Sequence, residues 1–166
     1  MLPVWHTPAV IERRRLYGGR WNSPGRAVIY ACTTYAGAML EKLVPTGRQI
    51  RKHQVCVTFE APDALQVTTL ALAKLEDWDA ADFVVCRRAG DACLQAQQSP
   101  ILLVPSVVFE IERNALINPA HSEAQRIRVV SIEAVRWDDR LFSFKPSCVP
   151  GGVAEFRPHD TVSVCK

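Results

Sequence analysis

The sequence predicts a single α+β domain in which strands outnumber helices. Three observations lead there. The apolar segments form short strand-like runs and a few helical ones in irregular order, without the β-α-β-α succession of a doubly wound sheet. The 166 residues suit one domain with a core of its own. Hydrophobic residues make up 48% and charged residues 22%, the balance of a folded chain rather than a disordered one.

The elements follow in order. Residues 17–26, Tyr-Gly-Gly-Arg-Trp-Asn-Ser-Pro-Gly-Arg, form a turn-rich loop whose glycines allow close backbone approach. Ala27–Cys32 reads as a short buried strand. Thr33 or Thr34 then caps a helix that runs to about Val44 and ends at Pro45. Its apolar positions Ala36, Met39, Leu40 and Leu43 fall at helical spacing. His53–Glu60 alternates as a strand with Val55, Val57 and Phe59 on one side, and Ala64–Leu70 reads as another. Ala80–Gln97 is expected to be helical, in two pieces broken at Gly90. Ile101–Val108 is an apolar strand interrupted by Pro105, which lacks a ladder donor and so favours a sheet edge or a bulge. Asn114–His121 reads as a polar loop, and Arg128–Ile132 and Ala134–Trp137 as two further strands. From Lys145 the prolines and glycines break every period, so residues 1–144 are read as the domain and 145–166 as a tail or extension.

Charge and composition exclude several classes. Lys plus Arg number 20 against 17 Asp plus Glu, and the net charge of +3 comes without interleaved aromatic residues, so direct nucleic-acid binding is not expected. The positive charge is clustered in Arg13, Arg14, Arg15, Arg20, Arg26, Arg48, Arg51 and Lys52, which suits a phosphate-bearing ligand, an acidic partner or a plain solvated face. None of the six cysteines forms a Cys-x-x-Cys pair and most have apolar neighbours, as buried free thiols do in a reducing compartment. With four scattered histidines, no metal-ligand spacing is present, and no metal is expected. The opening Met-Leu-Pro-Val-Trp-His lacks the features of a signal peptide, and no apolar run has the length of a membrane span. A cytoplasmic protein without membrane contact is expected.

Four side chains stand out chemically. Arg20 lies in a glycine-flanked loop beside Trp21 and Asn22, where a guanidinium grips phosphate or carboxylate. Tyr30 sits in an apolar strand and its hydroxyl needs a partner if buried. Glu41 stands at the edge of an apolar helix face, exposed or held in a site. Ser106 follows Pro105 in an apolar strand, where a hydroxyl lines a cleft or caps a backbone group. Taken singly, each also fits a plain structural role. No P-loop, dinucleotide-fold glycine fingerprint or Gly-x-Ser-x-Gly elbow is present.

The ordered combination is more specific. Leu16-Tyr17-Gly18-Gly19-Arg20-Trp21-Asn22-Ser23-Pro24-Gly25, then Val28-Ile29-Tyr30, then Ala38-Met39-Leu40-Glu41, resembles the opening half of a RES domain. Gly90-Asp91-Ala92-Cys93-Leu94, Leu103-Val104-Pro105-Ser106 and the run Asn114 to His121 resemble its second half, and Trp137-Asp138-Asp139-Arg140-Leu141 its ending. The resemblance spans about residues 16–142. It implies an ADP-ribosyltransferase-like fold with split antiparallel β-sheets flanked by helices. It carries the arginine, glutamate and serine of the family name onto Arg20, Glu41 and Ser106, with Tyr30 as a fourth catalytic position. Trp21, Asn22 and Asn118 join Arg20, Tyr30 and Ser106 as candidate NAD⁺ contacts.

The resemblance further implies a toxin of a toxin–antitoxin pair that uses NAD⁺ as substrate. The nicotinamide–ribose bond would be broken by hydrolysis or by phosphorolysis with inorganic phosphate as co-substrate. ADP-ribosylation of a protein is the alternative. The implied partner is a Xre-like helix-turn-helix antitoxin, with a toxin homodimer inside a hetero-oligomeric complex. One departure leaves open a degenerate domain that only binds nucleotide or antitoxin: the start reads Val4-Trp5-His6, and His6 stands where the family has a second arginine.

Overall fold

The computed structural model describes residues 2–4, 15–44, 54–71 and 75–142. Among these residues seven strands form two sheets. The first is three-stranded and antiparallel, in the order β1 (Leu2–Val4), β3 (Val55–Glu60), β7 (Arg128–Ala134). The second has four strands in the order β2 (Ile29–Cys32), β6 (Arg113–Ile117), β5 (Ile101–Pro105), β4 (Val67–Thr69). Helix α1 (Tyr35–Leu43) follows β2, and helix α2 (Val84–Ala96) precedes β5. The α+β class and the split sheets stand as expected, with one amendment: β4 joins β5 in parallel.

Strands β2, β6 and β5 carry a core on each face, while the β4 edge is largely exposed. Register fixes which residues share a face: Tyr30 lies opposite Leu116 and Cys32 opposite Asn114, while Leu102 and Val104 pair with the same two residues from β5. On this face Trp21, Val28, Cys86, Leu94, Leu102, Val104 and Leu116 form one core beneath α2. Ala31, Ala115, Ile101 and Ile117 alternate onto the other face and meet Leu65 and Phe59 in a second core. The apolar character of the first face stops at its end, where Cys32, Asn114 and Ser106 follow Tyr30, Leu116 and Val104.

Several sequence expectations are corrected. The segment from Asn114 is not a loop: residues 113–117 form a central strand, and only Asn118–His121 turn. The asparagine masked the strand because its amide has a buried partner rather than solvent. Helix α2 runs unbroken through Gly90, which is there for clearance, since a Cβ would overlap the Trp21 carbonyl oxygen. Pro105 closes a strand that is interior to its sheet, not an edge. Its missing donor is on the β4 side, where β4 has already ended opposite Leu103. Residues 128–134 form a single strand, 135–137 are outside it, and the strand expected at Ala64–Leu70 is confined to Val67–Thr69.

Helix α1 starts as expected at Thr34, whose hydroxyl accepts from the Gly37 amide. Its buried positions are Gly37 and Ala38, not Ala36 and Leu40, which are exposed. Two small residues let the helix lie close to the sheet, and Glu41, one turn further on, shares their face. Pro45, His53, His6 and the tail from 145 lie outside the described residues. The four cysteines among the described residues are free thiols.

Replacing Gly90 tests the seating of the loop on α2. Alanine normally stabilises a helix interior by about 1 kcal/mol relative to glycine. Here Gly90→Ala is expected to destabilise by roughly 1–3 kcal/mol, because the methyl meets backbone. Urea unfolding would show the sign, and a stabilised variant would refute this packing.

Candidate active site

Residues 18–26 are built around a buried indole. Gly18 adopts a left-handed backbone (φ +72°), and the Gly19 amide donates to the Asn22 carbonyl across the turn. Trp21 enters the core and stacks on Trp78 at 6.5 Å. The Tyr30 hydroxyl accepts from the Trp21 amide at 2.9 Å and donates to Asn22 Oδ1 at 2.7 Å. A Cβ on Gly19 would overlap that hydroxyl. Asn22 is fully buried and its amide donates to the Arg26 carbonyl. Helix α2 holds the loop from outside: Arg87 Nε donates to the Gly19 carbonyl, and Asp91 accepts from the Ser23 amide and pairs with Arg26.

Arg20 projects from this loop. Its Nη1 donates to the carbonyls of Trp78 and Ala80, both at 3.1 Å, and its guanidinium lies 4.2 Å from the centre of the Phe83 ring. Phe83 has a left-handed backbone (φ +61°), a costly conformation for a bulky residue, and its ring lies within reach of both Arg20 and, at 5.7 Å, Arg87. Burial pushes the Cys86 thiol beneath it up, while Arg20 pulls the other way.

The polar end of the sheet face gathers a second set. Glu41 Oε1 accepts from the Ser106 hydroxyl and from Asn114 Nδ2, each at 2.7 Å. Ser106 is buried, and its oxygen in turn accepts from the Phe109 amide. Asn114 Oδ1 accepts from the Cys32 thiol at 3.1 Å. Beside them Glu112 accepts from the Thr34 hydroxyl at 2.6 Å, seated at the first turn of α1 where Gly37 leaves room for its carboxylate. A negative group is favoured there by the helix dipole. Burial pushes the Cys32 thiol up to about 12, and the charges of Glu41 and Glu112 add to it.

The structure thus brings Glu41 and Ser106 into direct contact across 65 residues. It joins Tyr30, Trp21 and Asn22 in one hydrogen-bonded loop. The Arg20 guanidinium is laid on the segment from Trp78 to Phe83. Asn118 lies at the other end of β6 from Asn114, roughly 14 Å along the strand. There its amide donates to the Leu94 carbonyl, and His121 Nε2 donates to that of Gln97, so the two finish the C-terminus of α2. As members of this cluster Asn114, Cys32 and Glu112 escaped the sequence reading, and Thr34 was read only as a helix cap. Asn114 stood in a quoted motif, but nothing local pairs it with a carboxylate 73 positions earlier. Among the described residues no group of three or more His, Cys, Asp or Glu side chains is placed to hold a metal. No helix of that part is long and apolar enough to cross a membrane.

The chain matches the RES domain over residues 3–138 and belongs to the RES-domain family. It is 34% identical over 136 residues to a Sphingobium protein named Prs ADP-ribosylating toxin, covering 76% of this chain and 82% of that one. It is 33% identical over 133 residues to a Pseudomonas putida protein named Toxin Res, covering 75% and 86%. Its fold is similar to one in the crystal structure of the Mycobacterium tuberculosis MbcT–MbcA toxin–antitoxin complex. That match has a TM-score of 0.62 at 18% identity and covers 81% of this chain and 87% of the other.

The Cys32 thiol sets a pH limit on stability. A cysteine free of the fold titrates near 9, so above that pH the native state holds a proton that the unfolded chain has lost. The contribution is complete below about 9 and is lost as pH rises toward 12, with a ceiling of about 4 kcal/mol. Cys32→Ser is therefore expected to flatten the alkaline fall in unfolding free energy. An equally steep fall in wild type and variant would contradict the assignment.

Proposed function

We propose that this protein is the toxin of a toxin–antitoxin pair and that it cleaves the nicotinamide–ribose bond of NAD⁺. What carries the reading is the carboxylate of Glu41, gripped on one oxygen by Ser106 and Asn114 in a chain of the RES-domain family. Glu41 Oε2 accepts no hydrogen bond among the described residues. Breaking the glycosidic bond develops positive charge on the ribose, as in glycoside hydrolysis. A fixed carboxylate stabilises that charge and accepts hydrogen bonds from the ribose hydroxyls.

The other side chains take roles that follow from their contacts. Ser106 has its proton on Glu41, so it orients the carboxylate rather than reaching for nicotinamide. Arg20 meets a phosphate of the dinucleotide through guanidinium donors other than Nη1, which holds the Trp78 and Ala80 carbonyls. Tyr30 and Asn22 fix the loop that carries Arg20, and Trp21 roots it in the core. Asn118 acts at a distance, by ending α2. The partner is an antitoxin of the Xre-like helix-turn-helix type that covers the site, in a complex built on a toxin dimer. The solved toxin–antitoxin complex of similar fold supports the antitoxin.

Water and inorganic phosphate are the first acceptors to test. The name of the Sphingobium relative favours a second reading, transfer of ADP-ribose to a protein. Purified protein incubated with NAD⁺ distinguishes them by product: free ADP-ribose, a phosphate-dependent ADP-ribose 1″-phosphate, or label on an added protein fraction. Glu41→Gln is expected to lower any of these rates by at least ~100-fold with the fold retained. NAD⁺ left intact by the folded wild-type chain under all three conditions would overturn the proposal.

A further inference from the structure

We infer that Asn114 is a positioning residue for Glu41, and that the Cys32 thiol sets which edge of the Asn114 amide faces the carboxylate. The inference rests on the reading of Glu41 as the group that meets substrate, and extends it to how Asn114 is itself oriented and to Cys32, which that reading gives no role.

An asparagine amide has two edges, a donor and an acceptor, that differ little in shape. A carboxylate accepts only, so it is served by NH₂ and repelled by C=O. In this site the carbonyl edge is claimed from the opposite side: Cys32 donates its S–H to Oδ1 at 3.1 Å. The NH₂ is then committed to Glu41 Oε1 at 2.7 Å. Register makes the relay possible, because Cys32 and Asn114 are directly opposite in the β2–β6 ladder and share one face. Cys32 is buried and its thiol is held far from ionisation, so the donor persists at neutral pH. A thiolate there would offer no proton and would add a charge beside Glu41 and Glu112.

The consequence is geometric. Ser106 and Asn114 approach the same oxygen from β5 and β6, so Oε1 is anchored from two strands. The plane of the carboxylate is thereby fixed, with Oε2 as the oxygen left for substrate. A catalytic group held by one donor swings about it, whereas two donors from separate strands leave one orientation.

Two readouts test this. In NAD⁺ turnover, Asn114→Ala is expected to lower kcat between ~10- and ~100-fold while KM moves little, since the loss is of orientation rather than of binding. Cys32→Ala should lose part of that rate. Cys32→Ser, which keeps a donor, should recover most of it, a pattern that simple cavity formation would not produce. The second readout needs no activity. The Cys32 sulfhydryl stretch, assigned as the Raman band lost in Cys32→Ser, should lie at the lower frequency of a hydrogen-bonded thiol and rise in Asn114→Ala. A Cys32 band at the free-thiol frequency in the wild type would overturn the relay, even if Asn114→Ala does not fold. So would a kcat within twofold of wild type in Asn114→Ala beside an inactive Glu41→Gln. If the wild type leaves NAD⁺ intact, the proposed function falls alone, and the Raman band still decides the relay.

Discussion

The burial of Trp21 is the constraint on which the rest of the structure leans. An indole that enters the core from a loop brings its own backbone with it, and that backbone must be satisfied away from water. Its N–H is met by the Tyr30 hydroxyl on β2. Its carbonyl lies against α2 where only Gly90 gives clearance. Gly19 is small for the same reason, since the Tyr30 hydroxyl occupies the space of its Cβ. Arg20, next to the indole, therefore leaves the loop from a backbone with little freedom. Its position is inherited from core packing and not from its own contacts alone.

The candidate site uses the same sheet face at its other end. The β2–β6–β5 face is apolar up to Tyr30, Leu116 and Val104, and one pleat further it becomes Cys32, Asn114 and Ser106. Buried polar groups of this kind are tolerated only when each has a partner. Here the partners are one another and the carboxylate of Glu41, which reaches them because Gly37 and Ala38 let α1 lie close. Glu112 enters the same cluster through the helix cap. Burial first, and the two nearby carboxylates after it, suppress ionisation of the Cys32 thiol.

Much of this was legible in the sequence and part was not, for physical reasons. The start of α1 was readable because Thr34 is a local signal that acts within a turn of where it stands. Glu41 and Ser106 were readable as polar residues in apolar surroundings, yet their contact was not, since nothing local joins β5 to α1. Asn114 shows the opposite failure. Its polarity argued for a loop, because a sequence displays the side chain but not the carboxylate that satisfies it. Gly90 was misread likewise: a helix-breaking propensity near 1 kcal/mol is smaller than the packing gained by seating Trp21 against it.

The motifs that mark this family therefore divide by what they touch. The glycines, Trp21, Asn22, Tyr30, Gly90 and Asp91 shape and clamp one loop, and Asn118 with His121 finishes a helix. Glu41, Ser106 and Asn114 form the only part of the set in which side chains converge on a carboxylate among the described residues. A chain with the first group intact and the second altered would keep the fold and lose the convergence. The reverse case has no stable meaning, because β5, β6 and α1 take their positions from the core that Trp21 and α2 complete. The geometry of the candidate site is thus downstream of packing: the sheet supplies Cys32 and Asn114 in register and Ser106 just beyond them at the end of β5, and one close-packed helix brings the carboxylate to them.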